Sequence, residues 1–142
     1  MKGTIKTIIG PVVDIAFEDH IPALYNALEV KLKDPSNSSG QVRTLVLEVE
    51  YHVGGGIVRA VAMDTTDGLA RGMEAIDTGA PITVPTGVET LGRMFNVLGA
   101  PIDAKDAPIG ANMLPIHRQA PSFLSQATKV EILETGIKVI DL

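Results

Sequence analysis

The feature that most constrains this chain is the one-by-one alternation of apolar and polar side chains in short runs before residue 78, each run closed by turn residues. Val13, Ile15 and Phe17 alternate with Val12, Asp14, Ala16 and Glu18. Leu28, Val30 and Leu32 alternate with Glu29, Lys31 and Lys33, and Leu45, Leu47, Val49 and Tyr51 with Thr44, Glu48 and Glu50. A period of two sends successive side chains to opposite faces of a strand, so these segments predict strands with one buried face. Residues 1–7 alternate in the same way, and residues 57–63 and 74–77 supply further short strands.

The punctuation between the runs agrees. Gly10-Pro11 marks a turn or bulge, Asp34-Pro35-Ser36-Asn37-Ser38-Ser39-Gly40 a loop, and Asp64-Thr65-Thr66-Asp67-Gly68 another turn. His52-Val53-Gly54-Gly55-Gly56 predicts a hairpin between residues 42–51 and 57–63. Five or six short strands, with no helical pattern long enough to cover a flat sheet, are best satisfied by closing the sheet on itself. A small barrel leaves no open edge.

After Gly79 the pattern changes. Gly79-Ala80-Pro81-Ile82 and Gly99-Ala100-Pro101-Ile102 read as two turns that each start an extended piece. Thr86 and Glu89 form a capping box, and Val88, Leu91, Phe95 and Leu98 share a helical face, so the spacing predicts a helix over 86–98. Gly92 inside it costs about 1 kcal/mol relative to Ala, which makes that helix dependent on tertiary packing. Residues 102–126 read as a loop. Thr128 and Glu131 make a second capping box, with Leu133, Ile137 and Ile140 at helical spacing, so an apolar face is still being built at Leu142. The expectation is a chain that stops within a domain.

Several functions are disfavoured at this level. The chain has no cysteine, hence no disulfide framework, thiolate zinc site or cysteine nucleophile. A net charge of -5 with 4% aromatic residues and no Trp argues against a nucleic-acid surface, which wants a basic groove and stacking platforms. No stretch approaches the roughly 18 apolar residues of a membrane helix, and residues 1–7 do not read as a signal peptide.

Residues arranged for site chemistry are equally few. No window fits Gly-x-x-x-x-Gly-Lys-Ser/Thr, whose backbone N–H groups converge on a phosphate, and Gly54-Gly55-Gly56 reads as a hairpin turn. His20, His52 and His117 are scattered, without metal-ligand spacing, and read as surface or loop histidines. Glu48 and Glu50 share a strand face and would allow a carboxylate pair, although a solvated polar face is the simpler use. Arg93, Arg118 and Lys138 could each meet a carboxylate or phosphate, but none stands in a motif. No catalytic, cofactor-binding or metal-ligating residue is assigned.

Five ordered blocks carry a resemblance. They are residues 62–73, with Asp64-Thr65-Thr66-Asp67-Gly68-Leu69-Ala70-Arg71-Gly72-Met73; Asp77-Thr78-Gly79-Ala80-Pro81-Ile82; residues 91–103, with Gly92-Arg93-Met94-Phe95-Asn96-Val97-Leu98-Gly99-Ala100-Pro101; residues 114–123, with Ile116-His117-Arg118-Gln119-Ala120-Pro121-Ser122-Phe123; and residues 134–142, with Glu134-Thr135-Gly136-Ile137-Lys138. Together they resemble β subunits of F-type ATP synthases, in register from Gly3 to Leu142. The α subunits share the architecture, but their counterparts of residues 63–73 and 116–123 read differently. Gln119, where the family usually has Pro, and the turn at residues 51–56 are departures confined to loops.

The resemblance implies a small closed six-stranded β-barrel over residues 1–78. Residues 79–142 then form a loop-rich linker and the incomplete start of an α/β P-loop nucleotide-binding domain. It implies a catalytic subunit that makes ATP from ADP and phosphate on a transmembrane proton gradient, with Mg-ATP or Mg-ADP as cofactor of the complete subunit and none bound by this chain alone. The implied partners are α subunits, the other subunits of the head including its central shaft, and indirectly a membrane sector. The implied location is the cytoplasmic face of a bacterial membrane or its organellar equivalent. The family's phosphate loop, general base and adenine-stacking aromatic lie beyond Leu142, so none is carried onto these residues. The alternative is a self-standing barrel that binds a partner through one face.

Overall fold

The computed structural model describes residues 1–33, 42–126 and 128–142. Six strands carry the N-terminal half: β1 (Lys2–Ile9), β2 (Val12–Ala16), β3 (Asn26–Lys33), β4 (Val42–Gly54), β5 (Ile57–Ala62) and β6 (Glu74–Pro81). They close into an antiparallel barrel in the order β1-β2-β5-β4-β3-β6, with β6 returning to β1. The predicted loop at residues 34–40 lies outside the described residues.

The alternation read in the sequence is the cause of the closure. Ile5, Val13, Ile15, Leu28, Val30, Leu32, Leu45, Leu47, Val49, Val58 and Ala60 all point inward and form one buried cluster with Phe17 and Ala75. Burial of apolar surface at about 25 cal/mol per Å² drives the closure, and every inner strand gains a hydrogen-bonded neighbour on both sides. The Phe17 ring crosses the barrel beneath Gly3, where an added Cβ would stand 2.7 Å from ring carbon Cζ. The absence of a side chain at Gly3 is therefore a packing requirement.

One break in register in β4 shifts side chains from where strict alternation puts them. Between Val49 and Tyr51 the pairing of β4 with β5 slips by one residue, leaving Glu50 as the extra residue of a bulge. Tyr51, expected on the buried face with Leu45 and Leu47, is consequently exposed. The hairpin between β4 and β5 turns on Gly54, Gly55 and Gly56, all with positive φ. At Gly56 the left-handed backbone also lets its carbonyl accept from the Phe17 amide at 2.8 Å.

The C-terminal half differs from the helical expectation. Residues 86–98 hold no α-helix, only a short 3-10 turn at Val88–Thr90. Thr86 ends β7 (Thr83–Thr86), which pairs with β8 (Asn112–Pro115), and its hydroxyl donates to the Asn112 carbonyl at 2.9 Å instead of capping a helix. Gly87 and Gly92 adopt φ of 111° and 66°, outside the right-handed helical region, and Val88 and Leu91 are exposed. β8 was also hidden within the expected loop. The second helical segment shrinks to α1 (Lys138–Asp141), because Asp141 turns back to accept from the Thr135 and Gly136 amides.

Candidate functional site

Side chains that the sequence scattered meet on the outer wall of the barrel. Glu48 lies opposite Ala27 of β3 and Val61 of β5, on the face opposite to inward-pointing Leu47 and Val49. A glutamate there should be solvated, yet Glu48 is only 4% exposed. Its cover comes from the chain that leaves β8. The Ile116 amide donates to the Ile82 carbonyl at 3.0 Å, directing residues 116–119 onto the wall, and His117 Nε2 stands 3.0 Å from Glu48 Oε1. The second carboxylate oxygen, Oε2, is buried with no hydrogen-bond partner.

Tyr25 completes the junction. Its ring stacks on the His117 imidazole with centroids 4.1 Å apart and planes 24° from parallel. Tyr25 has φ 67°, a left-handed conformation costly for a bulky residue, and its amide is held by the Val49 carbonyl at 2.7 Å. Glu50, the bulge residue, has its carboxyl pushed above the usual range, first by desolvation and then by hydrogen bonding to, and the charge of, Glu48. An open hollow of about 490 Å³ lies beside the junction, lined by Tyr25, Ile116, His117, Arg118 and Gln119.

His20 Nε2 lies 3.6 Å from Asp77 Oδ2, and Asp77 also accepts from Asn26 Nδ2 at 3.0 Å and the Gly79 amide at 2.9 Å. His52 Nε2 meets the Pro22 carbonyl at 2.8 Å. Arg93 is taken up by Asp103 and by the Asp106 carbonyl. Lys138 sits in α1 and is exposed, as is Arg118. Gly54, Gly55 and Gly56 form the hairpin turn.

Reading Glu48 as a solvated face is thus corrected, whereas His117 is an exposed loop histidine as read, with its ring engaged by Glu48. The two are separated by 69 positions, so no local spacing signals their meeting. A missed interaction of the same kind is Arg43, whose Nη2 donates to the Thr65 and Asp67 carbonyls at 2.9 and 2.8 Å and pins the turn at residues 64–68. Among the described residues no group of three or more His, Asp or Glu is arranged to hold a metal ion, and no helix is long and apolar enough to cross a membrane.

The junction docks residues 116–119 onto the barrel wall, and the hollow's lining contains no Ser, Thr, Asp or Glu. The barrel itself is the more informative object. Residues 5–79 match the profile described as ATP synthase alpha/beta family, beta-barrel domain, and the matched stretch runs from β1 to β6. Closed antiparallel topology and family match coincide over more than half of the sequence, and this chain belongs to the ATP synthase alpha/beta family.

Proposed function

We propose that the chain is the N-terminal part of a catalytic β subunit of a rotary F-type ATP synthase, and that its barrel joins the subunit to its neighbours in an α/β hexamer. The observation that carries the reading is the closed barrel matched over residues 5–79. The preference for β over α rests on residues 63–73 and 116–123. Both blocks contact the barrel, one through Arg43 and the other through Glu48.

On this reading residues 79–142 are a linker and the beginning of a nucleotide-binding domain. The complete subunit binds Mg-ATP and Mg-ADP and makes ATP from ADP and phosphate, driven by a proton gradient through a central shaft and a membrane sector. It works as part of a peripheral complex on the membrane face. The exposure of Val130, Ile132, Leu133, Val139 and Leu142 supports a further covering layer for this region.

Two measurements test the proposal. The native reading frame after Leu142 is expected to encode Gly-x-x-x-x-Gly-Lys-Thr shortly downstream; a stop codon in its place would falsify the assignment. Mg-ATP titrated into the 142-residue chain is expected to give no binding heat. Micromolar affinity would place a nucleotide site within these residues and overturn the division of labour.

A further inference from the structure

We propose that Glu48, Glu50, His117 and Tyr25 form a proton-operated latch fastening residues 116–119 to the barrel wall, closed while the carboxylate pair holds a proton and loosened when both are ionised.

The geometry supplies both halves of the device. On the barrel side, Glu48 offers two buried oxygens and only one of them, Oε1, has a donor, the His117 ring at 3.0 Å. An unsatisfied buried carboxylate oxygen is costly, and the neighbouring carboxyl of bulge residue Glu50 can donate to it only when protonated. On the strap side, His117 is clamped between Glu48 and the Tyr25 ring. The left-handed backbone at Tyr25 keeps that ring under the imidazole, so local strain is tolerated where the strap lands.

Other titratable groups around the junction do not replace these. From β4 the groups facing His117 are Glu48 and Glu50; from the segment before β3 it is Tyr25; on the strap itself Arg118 follows, exposed in the same hollow. The residues paired with Glu48 from β3 and β5, Ala27 and Val61, carry no charge. His52 is held by Pro22, His20 by Asp77, and Arg59 by Asp14.

The direction with pH follows from Glu50. Its carboxyl keeps a proton to higher pH in the folded junction than in a free chain, because of desolvation and the adjacent Glu48. The latch is therefore closed at pH below the raised Glu50 value and weakens as pH rises through it. Above it, two carboxylates repel and only His117 opposes them.

Hydrogen exchange at the Ile116 amide, which bonds to the Ile82 carbonyl, reads the strap directly in the 142-residue chain. After correction for intrinsic exchange, protection at Ile116 is expected to fall several-fold as pH rises through the raised Glu50 value. The Phe17 amide, bonded to Gly56 inside the barrel, should stay protected throughout. Glu50→Gln supplies a permanent donor to Glu48 and is expected to remove at least half of that fall. His117→Phe keeps a ring over Tyr25 but no donor, and should leave Ile116 weakly protected at every pH with Phe17 unchanged. Protection at Ile116 independent of pH, an undiminished fall in Glu50→Gln, or full protection in His117→Phe would each overturn the latch.

Discussion

Arg93 grips Asp103 with two bonds, Nε to Oδ2 at 2.6 Å and Nη2 to Oδ1 at 3.1 Å, and Nη2 reaches on to the Asp106 carbonyl at 2.7 Å. The pair staples the stretch that the helical pattern had claimed. Inside it, Asn96 Oδ1 accepts from the Leu98 and Ala100 amides, and Phe95 bridges to Pro101. A two-pronged guanidinium–carboxylate pair fixes geometry as well as charge. Arg93→Ala should make residues 93–106 several-fold more susceptible to limited proteolysis while the barrel stays resistant; unchanged cleavage kinetics would show that the staple is dispensable. The hydrogen bond from Arg93 holds the Asp103 carboxyl well below the usual range. Its contribution is therefore complete above the unfolded carboxyl value and is lost only as pH falls through the lowered one.

Gly3→Ala tests the packing of the barrel mouth. The new methyl would meet the Phe17 ring at 2.7–2.8 Å, closer than van der Waals contact, so the ring or the strand must move. Overpacking of this kind costs about 1–3 kcal/mol. Urea denaturation should show a lower midpoint with an unaltered slope, and a wild-type midpoint would mean that Phe17 turns aside freely.

Leu47 and Leu91 form a matched pair of substitutions. Leu47 is fully buried in the barrel and Leu91 is 75% exposed. Leu47→Ala should destabilise by about 2–5 kcal/mol, a large part of a small domain's stability. Leu91→Ala should lie within about 0.5 kcal/mol of wild type. Equal losses at the two sites, measured by thermal or chemical unfolding, would restore the amphipathic helix that the structure replaces.

Asp14 and Arg59 face each other across β2 and β5, joined at 2.8 and 3.0 Å. The hydrogen bond from Arg59 lowers the Asp14 carboxyl from its ordinary value, partly offset by desolvation. A carboxyl lowered in the folded state stabilises above its unfolded value, and that stability disappears as pH drops through the folded one. Asp14→Asn should therefore lower Tm at neutral pH and converge with wild type in acid. Parallel Tm curves across the acid range would contradict this linkage.

The two halves of the chain differ in how far local sequence determines their structure, for a physical reason. Alternation at Val13, Ile15, Leu28, Val30, Leu45 and Leu47 needs only local information, since a strand with one greasy face has few ways to bury it; the barrel was written there. The helix over 86–98 failed because capping-box and spacing rules weigh only neighbours, while Thr86 is drawn into pairing with Asn112 and Gly92 takes a left-handed turn. Tyr51 changed sides because one bulge at Glu50 resets the period of two. The junction of His117, Glu48 and Tyr25 was invisible to any local rule. Its members are brought together by barrel closure and the pairing of β7 with β8, so sequence set the strands and their inward faces, whereas tertiary structure decided which polar groups lost their water and had to find one another.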